Sequence, residues 1–187
     1  RRSMRAVTGK KEPDANADAL IWHADVRRML LTQKAIAEGG RAMIYAAAQT
    51  ADLMVDAGRR QDRATQDKHD DTLGFYTPIL KGFLTEMGLE AANLGMQVFG
   101  GHGYIHEHGM EQIARDARIA TLYEGTTGIQ ALDLLGRKVL LGTRGKCVRD
   151  FSRIMLRSAK THWLAHGSIG RMARSTAKRA VEWNLLT

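Results

Sequence analysis

A tyrosine, a carboxylate and a glycine stand in a row at Tyr123-Glu124-Gly125, followed by Thr126, at the junction of two segments with helical pattern. A glutamate placed there could sit in an apolar pocket with open backbone beside it. Burial disfavours the charged carboxylate and raises its pKa toward the working range, which makes such a residue a candidate base. The competing reading of Glu124 is a glutamate at a helix start, favoured by the helix dipole. Upstream lie Gln97 and a glycine corner, Gly100, Gly101 and Gly103. Glycines at a helix end let backbone N–H groups approach an anionic ligand, and an amide adds one hydrogen bond. The alternative is a plain glycine helix stop.

These residues must be positioned by helices. Apolar residues recur at three- and four-residue steps from about Asp25 to Ala57, with Val26, Met29, Leu30, Ile36, Gly40, Met43, Ile44, Ala47, Met54 and Val55 on one face. Asp25 is expected to cap the start and Gly58 to end it with left-handed freedom. Gly39-Gly40 weakens this helix and marks close approach of another. Residues 59–71 carry charge without apolar period and read as a solvated connection, partly helical. Thr77-Pro78 reads as the start of the next helix. Its face is Ile79, Leu80, Phe83, Leu84, Met87, Ala91, Leu94 and Val98, and it ends at the glycine corner. A third helix is expected over about Met110–Leu122, with Arg115, Asp116 and Arg118 forming ion pairs. A fourth is expected over about Thr127–Leu141, with Ile129, Leu132, Leu135, Val139 and Leu140 inward. The expected fold is therefore all-α: an up-and-down four-helix bundle with a C-terminal helical extension. The expected divisions are a polar lead-in and loop at 1–24, the bundle at 25–142, and a basic helical extension at 143–187, with helices over about 144–165 and 168–186 hinged at His166-Gly167.

The ordered run Gln97, Gly100, Gly101, Gly103 and Tyr104, then Arg115-Asp116, then Tyr123-Glu124-Gly125-Thr126 resembles the C-terminal helical domain of the acyl-CoA dehydrogenases. The continuation beyond Gly142, and the segment Asp25 to Ala35, resemble the longer branch that includes 3-methylmercaptopropionyl-CoA dehydrogenases. The resemblance implies an FAD-dependent enzyme that desaturates the alpha–beta bond of an acyl-CoA thioester. Glu124 would be the catalytic base, Tyr123 and Gly125 would contact substrate, and Gln97, Gly100, Gly101, Thr126 and Gly128 would contact FAD. A proton alpha to a thioester is weakly acidic, so its removal needs a carboxylate, a dry pocket and polarisation of the carbonyl oxygen. Where the family often has Gln or Glu two positions after Thr126, this chain has Gly128, so a contact there must come from backbone. The family's flavin-reaching arginine has no secure counterpart; Arg1, Arg2 or Arg5 is the nearest candidate. An electron-transfer flavoprotein and a homo-oligomer, dimer or tetramer, are the implied partners.

Composition bounds the alternatives. The chain has 187 residues, one cysteine and a formal charge of +8. The single Cys147 excludes an intramolecular disulfide, reads as an unreactive thiol and fits a reducing, cytoplasmic setting. No apolar run is long enough to span a bilayer. The basic excess concentrates after residue 143 without any nucleic-acid-binding signature, so solvated helix faces or contacts with an acidic domain are expected instead. His102, His106, His108 and Glu107 do not follow a usual zinc pattern, and no metal is expected. Two other readings stay open: an acyl-CoA oxidase, which shares fold and base, and a non-catalytic basic helical module for assembly or nucleic acid. The chain begins without methionine and ends within an apolar stretch, as a piece of a longer polypeptide would.

Overall fold

The computed structural model describes residues 4–185, and no strand occurs among them. The fold is all-α. After a 3₁₀ turn at Leu20–Trp22 come α1 (Ala24–Arg59), α2 (Arg63–Phe99), α3 (Gly101–Tyr104), α4 (Met110–Ala120) and α5 (Thr127–Leu132). A π-helical stretch, Asp133–Gly142, continues α5; α6 (Lys146–Thr161) and α7 (Gly167–Leu185) follow. The chain forms two compact units. One holds the chain up to Ala48 together with Leu80–Gly128; the other holds Gln49–Ile79 and the chain from Ile129 on.

In the first unit α1 and α2 run antiparallel. A Cβ at Gly40 would lie 3.2 Å from Leu84 Cδ2, and one at Gly95 would lie 3.4 Å from Gln33 Oε1. Close helix approach at the glycine pair is thus met at Gly40, while Gly39 faces open space. Residues 4–22 form a loop closed around Asp18. The Asp18 side chain is fully buried. It accepts hydrogen bonds from the backbone N–H groups of Ala6 at 2.8 Å, Glu12 at 2.8 Å and Lys11 at 2.9 Å. Arg5 completes the knot, pairing with Asp18 at 3.4 Å and donating to the Glu12 carbonyl at 3.0 Å. Arg5 is therefore committed to this loop rather than free to reach a flavin; Arg1 and Arg2 lie outside the described residues.

The Ala6 N–H above all, then those of Glu12 and Lys11 and the Arg5 charge, hold the Asp18 carboxyl well below the usual carboxylate range against the opposing effect of burial. A depressed folded pKa gives stability that is present above the unfolded value, near 3.9, and lost as pH falls below it toward the folded one. Asp18→Asn is expected to open residues 4–22 at neutral pH to proteolysis, and wild type should resist cleavage there until strongly acid pH. Equal cleavage of wild type and variant at pH 7 would show that the knot does not order the loop.

The connection between the long helices is shorter than the sequence suggests. Only residues 60–62 lie between them, and most of the charged run belongs to α2. Gln61, at φ 59°, supplies the left-handed turn expected of Gly58. Asp62 caps α2 by accepting the Thr65 N–H at 3.1 Å. Pro78 is inside α2, not at its start. Thr77 Oγ1 donates to the Leu73 carbonyl at 2.8 Å, so Thr77 bonds back into the preceding turn rather than capping a new helix.

The second unit is built on Phe75, Val139, Cys147 and Val148, with Tyr76, Ile79, Leu134 and Phe151 packed against them. The rings of Phe75, Tyr76 and Phe151 lie 5.7–6.0 Å apart. Burial pushes the Tyr76 phenol up. Cys147 is buried and accepts a hydrogen bond from Thr143 Oγ1 at 2.9 Å, as suits an inert thiol. Of the five residues expected inward on the fourth helix only Val139 is buried; Ile129, Leu132, Leu135 and Leu140 are exposed. A π-helix bonds i to i+5, as Thr143 N–H does to the Lys138 carbonyl at 3.0 Å. The wider turn shifts the inward register, so that Leu134 rather than Leu135 meets the core.

Helices α6 and α7 pack through small residues: Ser152, Ala159, Gly170, Ala173 and Ala180 are all buried. A Cβ at Gly170 would fall 1.9 Å from the Ala165 carbonyl oxygen. Gly170→Ala is therefore expected to cost about 1–3 kcal/mol or more. Earlier loss of the Trp163 and Trp183 fluorescence signal on urea titration would register it. The basic residues here are partly paired, Lys146 and Arg153 with Asp150 at 3.0 and 2.6 Å, and Arg179 with Glu182 at 2.8 Å.

Candidate functional site

All the residues singled out for chemistry fall in the first unit. Tyr123, Glu124, Gly125 and Thr126 form the turn between α4 and α5. Glu124 has φ 53° and Gly125 φ 91°. A left-handed residue other than glycine, asparagine or aspartate is uncommon and costs roughly 1–2 kcal/mol. Such an outlier is an observation from which function can be argued. The turn is tied at several points. Thr121 is buried, donates to the Arg118 carbonyl at 3.0 Å and accepts from the Arg118 guanidinium at 3.1 Å. Lys81 Nζ donates to the Ala120 carbonyl at 2.6 Å and sits 5.5 Å from the centre of the Tyr123 ring. Thr127 Oγ1 donates to Glu86 Oε1 at 2.7 Å. Lys81, Glu86 and Thr127 gave no signal in the sequence, because the contacts join positions some forty residues apart.

Within this chain Tyr123 and Glu124 are exposed rather than buried. The described residues alone do not build the dry pocket that the sequence led us to expect around them.

The glycine corner is a separate place. Gly100, at φ 64° and ψ −142°, occupies a region open only to glycine and breaks α2 from α3. Gly103 is buried, and a Cβ there would lie 2.4 Å from the Met96 carbonyl oxygen and 2.9 Å from Phe99 Cβ. Its glycine is demanded by packing. At Gly101 a Cβ would meet nothing within 4 Å, and Gln97 is exposed. Both leave backbone and amide accessible, so these residues fit a ligand that lies along the helix end. Gln97 lies roughly 16–24 Å along α2 from Glu86 and Lys81, at 1.5 Å per residue. The structure brings Glu124 together with Tyr123, Gly125, Thr126 and Gly128, but not with Gln97, Gly100 and Gly101.

The Arg115, Asp116 and Arg118 ion pairs do not form among the described residues. Asp116 instead accepts from Gln112 Nε2 at 2.7 Å, and Arg118 serves Thr121. Polar neighbours four and three residues away satisfy these side chains, so no cross-pairing is needed. Arg115 and Arg118 line an open groove of about 600 Å³ with Asn93 and Tyr104. His106 Nδ1 bonds Glu111 at 3.1 Å, and the His102 and His108 rings stand edge-on at 5.2 Å. No group of three potential metal ligands converges among the described residues. Nor is any helix among them long and apolar enough to cross a membrane.

Residues 4–140 match the family model of the acyl-CoA dehydrogenase C-terminal domain. The chain belongs to the acyl-CoA dehydrogenase family. It is 43% identical to the 3-methylmercaptopropionyl-CoA dehydrogenase of Ruegeria pomeroyi over 178 residues, 95% of this chain and 28% of that protein. It is 37% identical to a butyryl-CoA dehydrogenase of Syntrophomonas wolfei over 139 residues, 74% of this chain and 22% of that one. A broad-specificity linear acyl-CoA dehydrogenase of Mycobacterium tuberculosis is 39% identical over 138 residues, 73% of this chain and 22% of that protein. The chain thus spans about a quarter of the length of the relatives it matches. The likeness to the longer, 3-methylmercaptopropionyl-CoA dehydrogenase branch stands, and that match alone of the three extends over nearly the whole acyl-CoA dehydrogenase chain described here.

Proposed function

We propose that this chain is the base-bearing C-terminal part of an FAD-dependent acyl-CoA dehydrogenase. The observation that carries the reading is Glu124, held in a left-handed turn that is tied to α2 on both sides and lies within the region matched to the family. The turn fixes the backbone from which the Glu124 carboxylate extends. Glu124 removes the proton from the carbon alpha to the thioester carbonyl. Gly125, without a side chain, leaves backbone open beside that carbonyl, and Tyr123 flanks the substrate. A bound flavin would supply the acceptor for the beta hydride. Gln97, Gly100 and Gly101 would hold it at the end of α2, and Thr126 and Gly128 at the start of α5. The separation of these two places suits an elongated dinucleotide shared between subunits of a dimer or tetramer.

Exposed Ile113, Ile119 and Leu122 ahead of the turn support covering by a further subunit or domain, which would also enclose Glu124. We read residues 25–142 as the catalytic bundle, 1–24 as its lead-in and 143–187 as an added helical extension. The free thiol of Cys147 suits a reducing, cytoplasmic setting. The whole protein is expected to pass its electrons to an electron-transfer flavoprotein.

The test uses the full-length protein with its flavin. Anaerobic addition of acyl-CoA thioesters should bleach the flavin absorbance, and electron-transfer flavoprotein should restore it. Rapid recovery with oxygen alone would assign an acyl-CoA oxidase instead. A protein that takes up no flavin and shows no bleaching with any thioester would overturn the proposal.

A further inference from the structure

Two side chains of α2 grip the turn that carries Glu124, one on each side, and we propose that Lys81 is the positioning residue of this site. The inference rests on Glu124 being the base. Ala120 ends α4, and its carbonyl is among those a helix leaves without an intrahelical partner. Lys81 Nζ takes that carbonyl at 2.6 Å, a charge-assisted bond placed where the helix dipole favours a cation. The same ammonium lies 5.5 Å from the centre of the Tyr123 ring, so one charge holds both the helix end and the residue next to Glu124. Five residues further along α2, Glu86 accepts from Thr127 Oγ1 at 2.7 Å, at the first residue of α5.

Between those anchors run Tyr123, Glu124 and Gly125. Glu124 and Gly125 are both left-handed, at φ 53° and 91°. An exposed turn with a left-handed glutamate would relax to ordinary backbone angles if its ends were free to move. Arg118 and Thr121 fix the start of the turn to α4 itself, whereas Lys81 and Glu86 fix it to a different helix. The second kind of tie sets where the turn's backbone lies relative to α2. Lys81 touches no reacting atom; it acts through Ala120 and Tyr123.

The opposing account makes Lys81 a mere helix-end partner of α4, whose loss would lower stability and nothing else. Full-length flavoprotein separates the two. Glu124→Gln is measured first: if it leaves acyl-CoA-driven bleaching intact, the base assignment fails and not the clamp. With that bleaching abolished, Lys81→Met and Lys81→Arg are compared with wild type. Lys81→Met keeps the stem and removes the ammonium. It is expected to speed amide hydrogen exchange over residues 121–127 about tenfold, with flavin content unchanged. Bleaching should slow by roughly 10–100-fold, the cost of a base displaced by about an ångström, with acyl-CoA affinity altered little. Lys81→Arg, which can still reach the carbonyl and the ring, should restore both readouts to near wild type. Wild-type exchange and bleaching in Lys81→Met would overturn the proposal, as would a rate that falls only in step with lost folded flavoprotein. Should Lys81→Met not fold, Thr127→Val releases the other anchor and carries the same expectations, and wild-type exchange and rate in that variant would overturn the two-point clamp.

Discussion

Glu124→Gln should leave a folded, flavin-loaded protein that has lost reduction by acyl-CoA. The expected fall in the anaerobic bleaching rate is about 10²–10⁴-fold, the usual worth of a positioned general base. The substitution is chosen because it keeps the shape. Glutamine fills the same volume, the left-handed backbone at φ 53° is as uncommon for one as for the other, and the ties at Lys81 and Glu86 do not involve the carboxylate. What changes is that an amide cannot accept the alpha proton. Acyl-CoA should therefore still bind, and the loss should lie in the rate constant at saturation rather than in affinity. Glu124→Gly adds a second measure of the same site. It should abolish bleaching as well, while relieving the left-handed angle that costs a glutamate roughly 1–2 kcal/mol and a glycine almost nothing. Unchanged bleaching in Glu124→Gln would transfer the role to another carboxylate.

Much of the site was legible in the sequence because its signals are local. Gly100 and Gly125 stand where the backbone needs positive φ. The helix breaks follow from them, and the Tyr-Glu-Gly-Thr turn falls between α4 and α5 as read. What was not legible depends on distance or on helical winding. Lys81 and Glu86 look like ordinary polar residues on a long helix; their partners are 39 and 41 positions away. Asp18 reads as one more charge in a polar lead-in, until the N–H groups of Ala6, Lys11 and Glu12 are seen to converge on it. A 3.6-residue count cannot follow a π-helical stretch, which is why Leu135 was expected inward in place of Leu134. Apolar periodicity also cannot tell a core from an interface. Ile44, Val55 and Phe83 belong to the stripes read as core, yet each is about half exposed in this chain, at 51%, 46% and 49%. Such open apolar stripes fit the proposed covering by a further subunit or domain.

The glycine corner gives the second large effect, because two of its glycines have different reasons to be there. At Gly103 a methyl group would press 2.4 Å from the Met96 carbonyl oxygen and 2.9 Å from Phe99 Cβ, both close to the end of α2. Neither is the far end of a flexible side chain, so the backbone itself must move. Gly103→Ala is expected to cost about 1–3 kcal/mol or more, read as a lower melting temperature with and without flavin. At Gly101 the same methyl group would meet nothing within 4 Å, and the residue is not at positive φ. The fold alone should accept Gly101→Ala, and could gain up to about 1 kcal/mol from it at a helical position. If the Gly101 backbone is where a flavin phosphate approaches, the methyl group stands in the ligand's way. Gly101→Ala should then weaken flavin binding by about tenfold or more while the flavin-free protein melts as before or slightly higher. The stabilisation conferred by added flavin, which follows RT ln(1 + [L]/Kd), should shrink accordingly. Unaltered flavin affinity in Gly101→Ala would reduce this corner to a helix stop and leave the cofactor to be held from Thr126, Gly128 and the parts of the protein beyond this chain.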